Sequence, residues 1–306
     1  MDQLTSMAVF VKCVEGGSLA AAARHFGLSN AMVGKHIHGL EQRLGARLLN
    51  LTTRHLSLTQ VGQTYHLRCQ QILADVAEAD AEAGTLQTAP RGTLRVSAPL
   101  NLGELHLGPI IADFMRTYPE IEVDAELSDR YVHLLDEGVD VAIRVGRLGD
   151  SGLVARRLGS SAMMACAAPA YLRRRGTPAH PDELVGHECF TFSLAAQPEV
   201  WWFDGQHGKE LAVNVRGRLR ATSMKLLASV ASAGLGIVFG PGFALAPWID
   251  NGVLVPVLQQ YPSRPLEIHA LYPGRRHLSS KVRLFIDFLA PRFAAAAWNE
   301  LRAGVA

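Results

Sequence analysis

The sequence predicts a chain of two unlike parts, a small helical head and a larger α/β body, joined by one long helix. Three observations predict it. Apolar residues recur at threes and fours through the first 62 residues, with breaks at Gly16-Gly17 and Gly27. From Gln60 to about Thr88 there is no proline, and the helical spacing continues. Beyond Ala89-Pro90-Arg91-Gly92, short strand-like runs alternate with helical ones, the rhythm of an open sheet with crossover helices. A length of 306 residues is enough for two or three domains, and 48% hydrophobic with 19% charged residues fits a globular chain.

In the head, Leu4, Met7, Ala8, Val11 and Val14 mark a first helix over residues 3–15. A second, alanine-rich helix from Ser18 to Phe26 starts at a serine able to cap free amides, and contributes Leu19, Ala22, Ala23 and Phe26 to a small core. A third begins near Ser29 or Asn30 and runs to about Leu44, with Val33, Ile37, Leu40 and Leu44 on one face. Two helices joined by a tight glycine-containing turn form a helix-turn-helix, whose second helix suits the DNA major groove. Asn30, Ala31, Gly34, Lys35 and His38 fall off the apolar face, with Ser29 at the helix start. Asn pairs bidentately with adenine, and Lys meets guanine acceptors or a phosphate. The polar stretch Thr52 to Leu58 reads as a wing that lays Arg54 and His55 on the sugar-phosphate backbone.

Charge follows the same division. Net charge is only +2, yet residues 1–62 carry +3 and the remainder −1. The widely spaced Cys13, Cys69, Cys166 and Cys189 include no CxxC pair, which argues against a zinc site or a disulfide scaffold and fits a reducing cytosol, with small buried roles for the thiols. No secretory leader is read at the N-terminus. Leu226 to Ile249 is uncharged, but its glycines and prolines favour a buried helix, strand and turn over a membrane span.

The head resembles the winged helix-turn-helix of LysR-type transcriptional regulators. The matching residues are Phe10, Val14, Gly17-Ser18-Leu19, Ala22-Ala23, Leu28-Ser29, Ile37, Leu40-Glu41, Arg43-Leu44-Gly45, Arg47-Leu48, Thr53-Arg54, Leu58-Thr59 and Gly62. The resemblance places Asn30, Ala31, Gly34, Lys35 and Arg54 toward DNA. Two residues depart from its pattern: Gly34 stands where a serine is common, and Leu51 where an arginine is. In the long helix, Val61, Tyr65, Ile72, Val76, Ala79, Ala83 and Leu86 form a stripe, interrupted by Arg68, that suits pairing with a second chain. The resemblance implies dimerisation through this helix, with tetramers built as paired dimers.

In the body, strands are expected at Thr93–Ser97, Ile121–Leu127, Val139–Val145, Met163–Ala168, Cys189–Phe192, Val200–Phe203, Gly236–Phe239 and Leu266–Tyr272. Helices are expected at Leu105–Tyr118, Tyr131–Glu137, Tyr171–Arg175, Met224–Ala233 and Ser279–Leu289. GVDVAIRVGRLGDSGLVARRLG at Gly138–Gly159 and PAYLRRRGTPAHPDEL at Pro169–Leu184 resemble the effector domain of the same family. That domain is of periplasmic-binding-protein type, with two α/β subdomains joined by two crossover strands around a cleft. The expected division is residues 1–60 for the winged head, 61–89 for the linker and dimerisation helix, and 90–306 for effector binding. Within the last, subdomain I takes 93–165 and 266–300, and subdomain II takes 166–265.

Open α/β sheets bind ligands beyond the carboxyl ends of their strands. The candidates there are Ser97, Leu100, Asn101, Ser128, Arg144, Gly146, Ser223, Phe239 and Pro241, with free amides and hydroxyls after the first strand suited to an anion. No HExxH, GxSxG or Walker A motif occurs, the histidines show no metal-ligand spacing, and no cofactor is implied. The reading is a cytoplasmic, bacterial-style, sequence-specific DNA-binding regulator controlled by a small-molecule effector, self-associating, without catalysis or membrane. The rival is a cytosolic small-molecule-binding or enzymatic α/β protein with an accessory helical domain.

Overall fold

The computed structural model describes residues 2–51, 56–83, 90–129, 138–146, 148–149, 152–205, 210–274, 278–296 and 298. The chain divides into two compact units that part at Gly92–Thr93. In the first, α1 (Gln3–Glu15), α2 (Leu19–Phe26) and α3 (Asn30–Leu44) are each started by a side-chain cap. Asp2 Oδ2 accepts from Thr5 N at 2.9 Å, Ser18 Oγ from Ala21 N at 3.1 Å and Ser29 Oγ from Met32 N at 3.2 Å. Gly27 (φ 64°) and Gly45 (φ 66°) end α2 and α3 in the left-handed conformation that glycine adopts without strain. The core joins Met7, Phe10 and Cys13 of α1 with Ala22 and Ala23 of α2 and Val33, Ile37 and Leu40 of α3. Phe26 and Leu44, expected inside, are the last residues of their helices, at the edge of the packed region, and are 36% and 40% exposed.

Strands β1 (Leu49–Leu51) and β2 (Leu56–Leu58) pair antiparallel as a wing, and α4 (Gln60–Ala83) follows. The apolar stripe expected along α4 is covered only in part. Tyr65, Cys69 and Leu73 pack into the head's own core, whereas Val61 and Ile72, three turns apart, are 50% and 37% exposed. The side chains of Ala79 and Ala83, and residues 84–89, lie outside the described residues.

The second unit contains two five-stranded sheets. The first is ordered β4 (Ile121–Leu127), β3 (Gly92–Ala98), β5 (Val141–Val145), β14 (Leu266–Pro273), β6 (Leu153–Ser161). Here β3 and β5 are parallel, and β14 runs antiparallel to both β5 and β6. The second is ordered β11 (Arg220–Ala221), β8 (Cys189–Phe192), β12 (Ile237–Pro241), β7 (Met163–Ala167), β13 (Val255–Val257). The chain passes from one sheet to the other at Ala162, between β6 and β7, three residues before the boundary expected from sequence. It returns between β13 and β14. Four of the body's described strands are absent from the sequence reading: the short β11 and β13, β6, whose paired arginines break the apolar alternation, and β10 (Glu210–Asn214). The last pairs only with β9 (Val200–Asp204), in a separate hairpin.

Helices cover the sheets: α5 (Leu100–Leu102), a π-helical turn (Gly103–Leu107), α6 (Gly108–Thr117), α7 (Pro169–Arg175), α8 (Met224–Ser232), α9 (Gly242–Asp250) and α10 (Ser280–Ala294). The helix expected from Leu105 starts at Leu100 instead. The π turn adds a residue, so the fully buried Leu102 and Leu107 are five apart and the period of an α-helix is lost. A turn was expected after Pro241, but α9 forms there despite Pro247 inside it. The Tyr131–Glu137 helix expectation lies outside the described residues.

One buried ion pair fastens the first sheet. Lys281 Nζ at the start of α10 is 2.9 Å from Asp140 Oδ2, with the side chains 12% and 6% exposed, and it also donates to Thr93 O. The same carboxylate oxygen accepts from Arg95 N at 3.0 Å. Removing one partner strands the other charge in a dry site. Lys281→Met is therefore expected to destabilise the chain by roughly 3–5 kcal/mol in denaturant titration, and Asp140→Leu/Lys281→Met by less than either single change.

Candidate nucleic-acid interface and ligand cleft

In α3 the buried residues are Val33, His36, Ile37 and Leu40. His36 Nδ1 lies 2.9 Å from Ser6 Oγ, which itself donates to Asp2 O at 2.8 Å, so the ring nitrogen is the donor to the serine. This pair pins α3 to α1 at a fixed rotation. The opposite face then carries Ala31, Lys35 and His38, all exposed, with Asn30 at its edge and Gly34 partly covered. Ser29 spends its hydroxyl on capping the helix. Sequence reasoning missed Gln42 and Met32. Gln42 continues the Ala31–Lys35–His38 line, and Met32 flanks it at 38% exposure. A Cβ added at Gly34 meets nothing within 4 Å, so no packing in the protomer explains that glycine. Arg54 and His55 lie outside the described residues.

The wing and α4 are tied back to α3. Glu41 Oε1 accepts from Leu48 N at 2.8 Å and from Leu49 N at 3.3 Å. Thr59 Oγ1 donates to Arg47 O at 2.7 Å and accepts from Gly62 N at 2.9 Å. Gly62 is so close to β1 that an added Cβ would stand 2.0 Å from Leu48 O, a backbone atom that cannot swing away.

In the second unit the candidates fall into separate groups. Leu94, Val96, Val141 and Ile143 point into the main core. Strand alternation therefore puts Ser97 and Arg144 on the other face, where Arg144 Nη2 donates to the fully buried Ser97 Oγ at 3.2 Å and Nη1 to Ile143 O at 2.9 Å. Leu100, Asn101 and Ser128 come together beyond the ends of β3 and β4: Ser128 N donates to Ala98 O at 2.9 Å, and Asn101 is 6% exposed.

The free amide expected at Leu100 is occupied, since its N–H donates to Asp129 Oδ1 at 2.9 Å. The position where an anion was expected thus holds the chain's own carboxylate. Burial pushes the Asp129 carboxyl upward, the Leu100 N–H opposes that rise, and the charge of Glu104 adds to it. Gly146 (φ 96°) turns the chain after β5 and donates to Glu267 O at 2.8 Å. Ser223 caps α8, its Oγ accepting from Leu226 N at 3.3 Å. Phe239 is half-buried. It stacks on Trp201 at 5.0 Å and packs against Phe203 at 5.4 Å in a different core from Val238. Pro241 is buried where α9 starts, and the next N–H, of Gly242, donates to Ala162 O at 2.8 Å.

All four thiols are buried, and burial pushes Cys13 and Cys69 up to about 11 and Cys166 and Cys189 up to about 12, far from a reactive thiolate. Among the described residues no cluster of His, Cys, Asp and Glu could hold a metal ion, and no helix is long and apolar enough to cross a membrane.

A helix-turn-helix head with its second helix turned outward, followed by two α/β subdomains with strands crossing between them, is the build of a ligand-responsive transcription regulator. Residues 4–63 match the model of the bacterial regulatory helix-turn-helix protein of the lysR family, and residues 87–294 match the LysR substrate binding domain. An HTH-type transcriptional regulator of Xanthomonas campestris pv. campestris is 38% identical over 296 residues, covering 94% of this chain and 85% of the relative. An HTH-type transcriptional repressor of Pseudomonas aeruginosa is 37% identical over 295 residues, covering 96% and 93%. The solved structure of CrgA, a LysR-type transcriptional regulator from Neisseria meningitidis, aligns with a TM-score of 0.61 at 34% identity, covering 94% of this chain and 98% of that one. The chain belongs to the LysR family of transcriptional regulators, with a DNA-binding head and an effector-binding domain.

Because Gly62 sits against a backbone oxygen, Gly62→Ala is expected to cost about 1–3 kcal/mol through overpacking. Thermal unfolding of the full chain checks this, with Gly34→Ala, placed in open space, expected to be neutral or slightly stabilising.

Proposed function

We propose that paired copies of this chain place α3 in successive major grooves of a promoter, with Asn30, Ala31, Gly34, Lys35 and His38 facing base edges or phosphates and Arg54 and His55 gripping the backbone from the wing. The observation that carries this reading is the two-sided character of α3, pinned inward by Val33, His36, Ile37 and Leu40 and polar outward at Lys35 and His38. The exposure of Val61 and Ile72, which flank the α4 face that packs on the head's core, supports pairing through that helix, as a dimer or as a tetramer of paired dimers. A small molecule enters near Leu100, Asn101 and Ser128, beyond the strand ends, and shifts the balance between two postures of the subdomains. The occupation of the Leu100 amide by Asp129 favours a ligand held by the Asn101 amide and the serines over an anion at that helix start. Regulation without catalysis, in the cytoplasm, completes the reading.

A mobility-shift titration on the DNA upstream of the chain's own coding region tests it. Affinity is expected to fall steeply with salt, as phosphate neutralisation requires. Lys35→Ala and Arg54→Ala are expected to remain folded and oligomeric while each loses roughly ten-fold or more in affinity, about 1–3 kcal/mol. Unchanged affinity in both, or binding indifferent to salt, would overturn it.

A further inference from the structure

Pro247 lies inside α9 and has no N–H. The residue four positions earlier, Phe243, therefore has a backbone carbonyl that α9 cannot satisfy. It is satisfied from the other subdomain: His106 Nε2, in the π-helical turn, donates to Phe243 O at 2.8 Å. The His106 ring is 4.1 Å from Trp298 and edge-on to Phe243 at 6.4 Å, so it is wedged between aromatic faces. From the same turn, Glu104 Oε2 stands 3.6 Å from Lys225 Nζ on α8. The start of α9 is held a second time at the crossover. Phe243 N donates to Ser161 Oγ at 3.2 Å and Gly242 N to Ala162 O at 2.8 Å, where the chain passes between the sheets. Latch and hinge thus meet at Gly242–Phe243, and the turn that carries the latch begins two residues after Asn101.

We propose that the π-helical turn Gly103–Leu107 is the latch that carries the state of the ligand cleft to the second subdomain, with His106 as the positioning residue and the carbonyl freed by Pro247 as its keeper. This rests on the effector-controlled reading above. A ligand drawn to Leu100–Asn101 pulls directly on the turn, and so on α8 and α9, without touching either. Burial holds His106 below its ordinary range, which keeps the ring neutral with Nε2–H as the donor that the carbonyl selects. π turns concentrate at functional positions, and this one departs from the helical period where the two subdomains are fastened.

The test uses the full-length chain, with amide hydrogen exchange and footprinting on its own upstream DNA. His106→Phe keeps a ring against Trp298 and loses the donor. Exchange over residues 103–107 and 242–250 is expected to accelerate at least ten-fold while α1–α3 stay unchanged, and the footprint is expected to change in length. His106→Gln, which keeps a donor, is expected to restore both. His106→Phe/Pro247→Ala supplies α9 with its own N–H for the Phe243 carbonyl. It is expected to recover the melting midpoint without recovering the wild-type footprint. If the double variant recovers the footprint, or if His106→Phe exchanges or footprints like wild type, the latch is overturned. Should His106→Phe fail to fold, Lys225→Met is expected to move the footprint in the same direction, and a wild-type footprint there would overturn the proposal. A wild-type chain that leaves no footprint would remove the regulator reading instead, and the exchange measurements would still decide the latch.

Discussion

Val33, Ile37 and Leu40 fasten α3 to α1, and the His36–Ser6 hydrogen bond fixes the angle at which they do so. Each buried aliphatic side chain contributes about 1.5–3 kcal/mol. Turning α3 by one residue would expose these side chains and break the buried pair, so its outward face has one permitted orientation. Lys35 and His38 owe their availability to that constraint, and so does the wing, which Glu41 holds through the Leu48 and Leu49 amides. The reading surface is set by packing behind it, and its own side chains contribute little to the fold.

The second unit works by a different rule. The central strands β5 and β12 are almost wholly buried, and a small set of polar contacts is found within the first sheet and between the subdomains. Asp140 and Lys281 lock the first sheet to its covering helix. Glu104, His106 and Ser161 reach across to α8 and α9. These ties supplement a hydrophobic core that takes residues from both subdomains, and packed interfaces of this kind favour discrete arrangements.

The head was almost wholly legible because its signals are local. Ser18, Ser29, Gly27 and Gly45 punctuate the helices within one turn of their ends, and they act in the structure as caps. The strand Ile121–Leu127 was legible from its alternation of apolar and acidic residues, and Cys189–Phe192 as a short β-rich run. What escaped depends on partners distant in sequence. Strand β6 is arginine-rich and gains its place by pairing with β14, more than a hundred residues on. Helix α9 tolerates Pro247 because His106 answers the freed carbonyl. Ser97 and Phe239 look alike as strand-end residues, yet one hydrogen-bonds to Arg144 and the other, half-buried, stacks on Trp201, a choice made by which face of each strand is covered. In α4, Tyr65 of the expected stripe packs into the head's core while Val61 and Ile72 beside it stay exposed, a difference set by where the head ends and not by the spacing.

The crossing of the chain between sheets has a consequence for its birth. Strand β14 sits between β5 and β6, so the first sheet has a gap in its middle until residues 266–273 emerge from the ribosome. The head, whose contacts are local, can mature while the rest is still being made. A nascent chain therefore carries a finished DNA-reading module well before the half that governs it is whole, and its edges at β5 and β6 need shielding in the interval.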